Sequence, residues 1–185
     1  MKIAIISGSA REQSVTRRVA LHLVNHFRTA TEHEVNLIDL REWNVPPVQG
    51  VWSTADHAPL EFQPLAKQIF NAEAYILVTP EYNGSYSPAL KNLLDHFPKR
   101  MHKTFAIVTA SPGAMGGMRA SQQLLLLVPA LFGIASPYLL VVPAVDKKFS
   151  PDGDLLDESF QNSIHNFTTE FLWLAEKLVD EKVPA

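Results

Sequence analysis

The chain has 185 residues, a formal net charge of −3 and no cysteine. A charge this close to neutral argues against a nucleic-acid partner, which a basic field would mark. The missing thiol excludes disulfides, thiolate catalysis and cysteine-held metal or iron–sulfur sites, so redox chemistry would need a bound cofactor.

Hydrophobic residues make up 46% of the chain, an ordinary globular share. The length suits one domain over residues 1–185. The apolar part of "MKIAIISGSAR" is too short for a signal peptide. No apolar run approaches the ~20 residues of a membrane span. The expectation is a cytoplasmic protein with no membrane span.

The first run, "KIAIIS" (Lys2 to Ser7), is nearly continuous in apolar residues, as are "AYILVT" (Ala74 to Thr79), "TFAIVTA" (Thr104 to Ala110) and "YLLVVP" (Tyr138 to Pro143). Strands buried on both faces of a parallel sheet read this way. "EVNLIDL" (Glu34 to Leu40) alternates and is placed nearer an edge.

Helical spacing follows each strand. Val15, Val19, Leu23 and Phe27 mark the first helix, and Leu65, Ile69 and Phe70 the second. Ala89, Leu90, Leu93, Leu94 and Phe97 mark the third. Met118 to Val128 form the fourth, ended by Pro129. Phe160, Ile164, Phe167, Phe171, Leu174 and Leu178 lie along one face of the last. Strand and helix alternate five times. That predicts an α/β doubly wound parallel sheet of five strands, in the flavodoxin-like order 2-1-3-4-5 with helices on both faces. The proline-rich segment Trp43 to Pro59 is a long loop, read either as local packing or as a flap over a neighbouring subunit's site.

Ligands of such a sheet bind beyond the carboxyl ends of the strands, at the switch point. The loops after strands 1, 3 and 4 meet there. "SGSAREQSVTRR" offers Ser7, Ser9 and Ser14 hydroxyls and the Arg11 fork at a helix start, which suits a phosphate monoester. Neither a dinucleotide G-x-G-x-x-G nor a P-loop is present. "TPEYNGSYSPALKNLLDHF" places a proline, a carboxylate, two tyrosines and Asn83-Gly84 after strand 3. "TASPGAMGGMRASQQ" brings Gly113, Gly116 and Gly117 after strand 4. His22 and His26 stand four apart on the first helix, but no H-E-x-x-H pattern accompanies them, so they are read as a solvated face and no metal is assigned. Lys91 and Arg100 are placed in solvent or at an interface.

"GSAREQS" resembles the G-S-x-R-x-x-S phosphate loop of the NADPH-dependent FMN reductase family, which includes quinone, azo-dye and chromate reductases. "PEYNGSYSPALKNLLD" is similar to that family's P-E-Y-N-x-S-x-P-x-x-L-K-N-x-x-D signature, and "GAMGG" with "RASQQL" to its third loop. The resemblance implies bound FMN, NADPH or NADH as co-substrate, a small-molecule electron acceptor and a homodimer or homotetramer. It places Ser9, Arg11, Gln13 and Ser14 around the FMN phosphate. Pro80, Glu81, Tyr82, Asn83 and Gly84 would line the isoalloxazine, and Ser85 would continue that loop. Ser111, Gly113, Gly116 and Gly117 would border the ring's far side. Leu125 departs from the family, which often carries arginine there. The implied activity is an NAD(P)H-dependent FMN oxidoreductase with a ping-pong cycle; a non-enzymatic flavodoxin-type electron carrier is the alternative. No side-chain catalyst is assigned, because the reacting atom belongs to the flavin. A phosphoryl-receiver domain shares the strand order but needs acidic strand ends, where this chain has Ser7-Gly8-Ser9 and Thr79-Pro80. The run "LLLLVPALF" holds more apolar residues than one buried helix face needs, so part of it is expected to pack on another subunit.

Overall fold

A computed structural model describes residues 1–180. Its strands are β1 (Lys2–Ser7), β2 (Glu34–Asp39), β3 (Ala74–Thr79), β4 (Thr104–Ala110), β5 (Ile134–Ala135) and β6 (Leu140–Val142). All pairings between them are parallel, in the order β2-β1-β3-β4-β5, with β6 also on β4. Every residue of β3 and β4 is buried, as continuous apolar runs require of central strands.

The fifth position is shared by two short strands instead of one spanning Tyr138 to Pro143. Ile134–Ala135 pairs with the start of β4 and Leu140–Val142 with its end. Pro137 lies between them and cannot donate to the ladder, so the pairing is interrupted there.

Helices α1 (Thr16–Ala30) and α6 (Gln161–Asp180) cover one face. Helices α2 (Gln63–Asn71), α3 (Pro88–Asp95) and α4 (Met118–Ala130) cover the other. A short α5 (Val145–Lys148) follows β6. Phe27 of α1 meets Phe171 of α6 edge to face at 5.6 Å, both fully buried. Pro129 lies inside the last turn of α4 and does not end the helix before it. Phe160 sits in a 3₁₀ turn just ahead of α6.

The Trp43 to Pro59 segment is held locally. Trp52 is 8% exposed and packs on Phe62, His96 and Phe97. The Asn92 amide on α3 donates to Val45 O (3.1 Å) and Pro46 O (2.9 Å), and its Oδ1 accepts from Val48 N (3.1 Å). Arg100 is not free in solvent: it donates to Tyr75 Oη at 2.8 Å and to the carbonyls of Ile69 and Phe70 at the end of α2. Lys91 pairs with Asp95 one turn on.

His22 and His26 also differ from the solvated face read in the sequence. The His22 ring lies against Phe149, with Nδ1 2.9 Å from Gly153 O. His26 Nε2 lies 3.0 Å from Thr168 Oγ1 of α6. Tertiary packing of α6 and the Gly153 turn covers them. Burial lowers both pKa values below the ordinary 6.5; Asp154 opposes this at His22, while His22 and His165 add to it at His26. A depressed histidine pKa contributes stability that is complete above 6.5 and is lost as pH falls. The melting temperature is therefore expected to fall between about pH 7 and about pH 5, and His22→Gln/His26→Gln to flatten that slope. Thermal unfolding across that range measures both.

Candidate functional site

At the switch point, three loops are tied together before any ligand enters. Gly8 N donates to Val78 O at 2.7 Å, which draws the first loop onto β3. Ser87 Oγ donates to Gly8 O and accepts from Leu90 N at 3.1 Å, so one hydroxyl joins the loops and caps α3. Pro88 takes the first helical position, where its missing N–H costs nothing. A Cβ on Gly8 would come 3.0 Å from Val78 O and 3.2 Å from Leu90 Cβ, so only glycine allows this approach without displacement.

The cleft above this junction has a volume of about 710 Å³, inside the usual range for small-molecule sites. Ser9, Arg11, Gln13 and Ser14 of the first loop line it, with Pro80, Glu81, Tyr82 and Asn83 of the second and Ser111 of the third. The chain thus brings nine of the expected residues into one space. Gly84, Ser85, Gly113, Gly116 and Gly117 are not in that lining. Val15, Thr16, Pro88, Ala110 and Pro112 also line it, and sequence reading had not picked them out. Thr16 and Val15 were hidden by their helical spacing. Ala110 and Pro112 flank Ser111 directly, so their position at a strand end was the available signal.

The first two loops differ in chemistry. The first N–H groups of a helix lack intrahelical acceptors. Ser14 Oγ accepts from Arg17 N at 3.2 Å, and the residues before Arg17 in this turn, Val15 and Thr16, face the cleft. Arg11 adds the cationic fork; its guanidinium lies 4.3 Å from the centre of the Tyr82 ring and so crosses the cleft from the first loop to the second. Asn83 (φ 51°) and Gly84 (φ 83°) are both left-handed, and Tyr82 and Ser85 exchange backbone hydrogen bonds of 2.8 and 3.1 Å. This is a two-residue primed hairpin turn, which Asn-Gly favours. It uses the Ser85 N–H internally.

Gly116 and Gly117 serve packing. Both have positive φ, and a Cβ would approach Pro143 N at 2.7 Å from Gly116 and Thr109 Cβ at 2.9 Å from Gly117. The first loop has its own buttress. Asp39, 1% exposed at the end of β2, accepts from Arg17 Nε at 2.7 Å and Arg41 Nη2 at 2.8 Å. Burial alone would raise the Asp39 pKa, but the hydrogen bonds from Arg41 and Arg17 outweigh it and hold it below the ordinary value. Arg41 Nη1 then reaches Glu12 O at 3.1 Å.

Hydroxyls, a guanidinium and a helix start, beside proline and tyrosine walls, fit a flat ligand bearing a phosphate. Among the described residues no group of three or more His, Asp or Glu side chains could hold a metal ion.

Residues 1–144 match the model of the family described as NADPH-dependent FMN reductase. The chain belongs to that family. It is 34% identical over 168 residues to an FMN-dependent NADPH-azoreductase of Staphylococcus aureus, covering 87% of this chain and 88% of that one. In fold it is similar to FerB, a flavoenzyme NAD(P)H:(acceptor) oxidoreductase from Paracoccus denitrificans. That match has TM-score 0.77 and 23% identity over 95% of this chain and 97% of FerB. A variant flavodoxin from Pseudomonas aeruginosa matches with TM-score 0.60 and 18% identity, over 92% and 99% of the two chains. The family member is thus an NAD(P)H-dependent oxidoreductase with FMN as its flavin and a reduced nicotinamide as co-substrate. No described helix is long and apolar enough to cross a membrane.

Two stability changes test this scaffold. Asp39→Ala strands two arginines beside a lost buried charge and is expected to cost about 3 kcal/mol. Gly116→Ala meets backbone at a left-handed position and is expected to cost about 2 kcal/mol. Urea unfolding of each variant measures these losses.

Proposed function

We propose that this protein passes electrons from NADPH or NADH through FMN to a small aromatic acceptor of the quinone or azo class. The observation that carries this reading is the lining of one cleft: hydroxyls, Arg11 and the start of α1 together with the Tyr82 loop. Ser9, Arg11, Gln13, Ser14 and the start of α1 hold the phosphate. Pro80, Tyr82, Asn83 and Ser111 wall the ring, while Gly84, Ser85, Gly113, Gly116 and Gly117 shape the loops behind that wall. When bound, FMN supplies the acceptor for the nicotinamide's hydride and the donor for the second substrate.

The chain's own residues orient and enclose. Neither Glu81 oxygen is offered to the cleft as an acid, since one accepts from Arg119 N and the other from Arg119 Nη1. With no side-chain relay assigned, nicotinamide and acceptor each have to stack on the open part of the ring. They use it in turn, which is a ping-pong cycle. The azo acceptor class rests on the Staphylococcus aureus relative, whose name states that activity. Leu126, 70% exposed on α4, supports the packing of a second copy there, in a homodimer or homotetramer.

The purified protein is expected to take up FMN and turn yellow, then bleach on anaerobic addition of NADPH. Initial rates with varied NADPH and quinone are expected to give parallel reciprocal lines; intersecting lines would rule out the ping-pong cycle. Bleaching by dithionite alone would instead mark an electron carrier. Arg11→Ala removes charge-assisted hydrogen bonds to the phosphate and is expected to weaken FMN binding by about 10- to 100-fold. Fluorescence titration reads that loss.

A further inference from the structure

Glu81 is a carboxylate in the cleft wall that the chemistry above does not use. Its side chain is 14% exposed, although it stands on an open loop. The reason lies at the start of α4. The N-cap of α4 is Gly117, which has no side chain to cap with. Glu81 Oε2 accepts from Arg119 N at 3.0 Å, one of the N–H groups that such a helix leaves without an acceptor. Glu81 Oε1 accepts from Arg119 Nη1 at 3.3 Å. The contact continues at the turn, where a Cβ on Gly84 would lie 3.7 Å from Arg119 Cδ, so the arginine stem runs beside the tip of the hairpin.

We propose that Glu81 is a positioning residue that caps α4 from the neighbouring loop and thereby fixes the Tyr82 wall of the cleft against the start of α4. Helix capping by a carboxylate is normally local, from the residue just before the helix. Here Gly117 cannot supply it, because its φ of 89° and its approach to Thr109 both demand glycine. The cap therefore comes from a residue 38 positions away in sequence. A cap of this kind joins two loops as well as stabilising a helix. The negative charge also meets the positive end of the α4 dipole, leaving that end occupied by the protein itself. Arg119 is the partner through its backbone first; its exposed guanidinium adds the weaker contact.

The inference rests on the cleft being the flavin site, and the test separates the two claims. The full chain and its variants are titrated with FMN, followed by visible circular dichroism of the bound flavin and by kcat and KM at saturating FMN. Glu81→Ala is expected to weaken FMN binding about tenfold, the size of a lost cap. It should also change the flavin dichroism and lower kcat. Glu81→Gln keeps an oxygen that can accept from Arg119 N, and is expected to recover most of each effect. Arg119→Ala keeps the backbone donor, and is expected to change FMN binding less than about threefold, as exposed ion pairs do. A Glu81→Ala protein with parental dichroism and kcat would overturn the positioning role, leaving the flavin site standing. Equal defects in Glu81→Ala and Glu81→Gln would overturn it too, because they would point to the charge and not the cap. Failure of the parental protein to bind FMN would overturn both claims. If Glu81→Ala does not fold, Glu81→Gln and Arg119→Ala decide: a loss in Arg119→Ala larger than in Glu81→Gln would refute the backbone cap.

Discussion

The close approach of Gly8 to β3 and α3 is the constraint on which the site depends. A parallel sheet opens a crevice where successive crossovers leave on opposite sides, and here that is between β1 and β3. The crevice would be no more than a gap if its two loops moved independently. Gly8 N on Val78 O and Ser87 Oγ on Gly8 O remove that independence. The same serine starts α3, so the helix, the first loop and the second loop share one small polar joint. Its groups are buried, which makes each of its hydrogen bonds costly to break.

Charge is used around the cleft mainly to hold backbone in place. Asp39 gathers Arg17 and Arg41 and, through Arg41, reaches the carbonyl of Glu12. Glu81 meets the start of α4. Asp39 ends β2 and Glu81 stands two residues past β3, so each carboxylate fixes the chain where it leaves a strand. The guanidinium of Arg11 is different, since it rests on the Tyr82 ring. This division suits a protein whose reactive atom arrives with the cofactor: the chain needs rigidity more than it needs an acid or a base.

Much of the fold was legible because buried parallel strands are written as unbroken apolar runs, and β1, β3 and β4 are such runs. The divided fifth position was not, because "YLLVVP" reads as the whole strand, while Ile134–Ala135, ahead of Pro137, also pairs with β4. The histidines of α1 misled for a related reason. Their spacing put them beside the buried face, but α6 and the Gly153 turn, distant in sequence, cover them. The glycines of "GAMGG" read as ligand contacts because glycine suits any close approach, and the tertiary structure adds a packing reason for two of them. The surfaces that Gly116 and Gly117 approach are Pro143 and Thr109 of the protein's own strands and loops.

The sequence by itself determined the strand and helix order, the edge of the sheet that carries the chemistry, and the residue types that suit a phosphate and a flat ring. These follow from local patterns of period, charge and turn chemistry, which a linear chain displays directly. Tertiary structure alone decided which of those residues share a space, that Asn92 pins the long loop, and that Glu81, in the cleft wall, gives its oxygens to Arg119. The physical reason is that such contacts join groups far apart in the chain. Their partners are chosen by how the layers pack, and no local pattern encodes that choice.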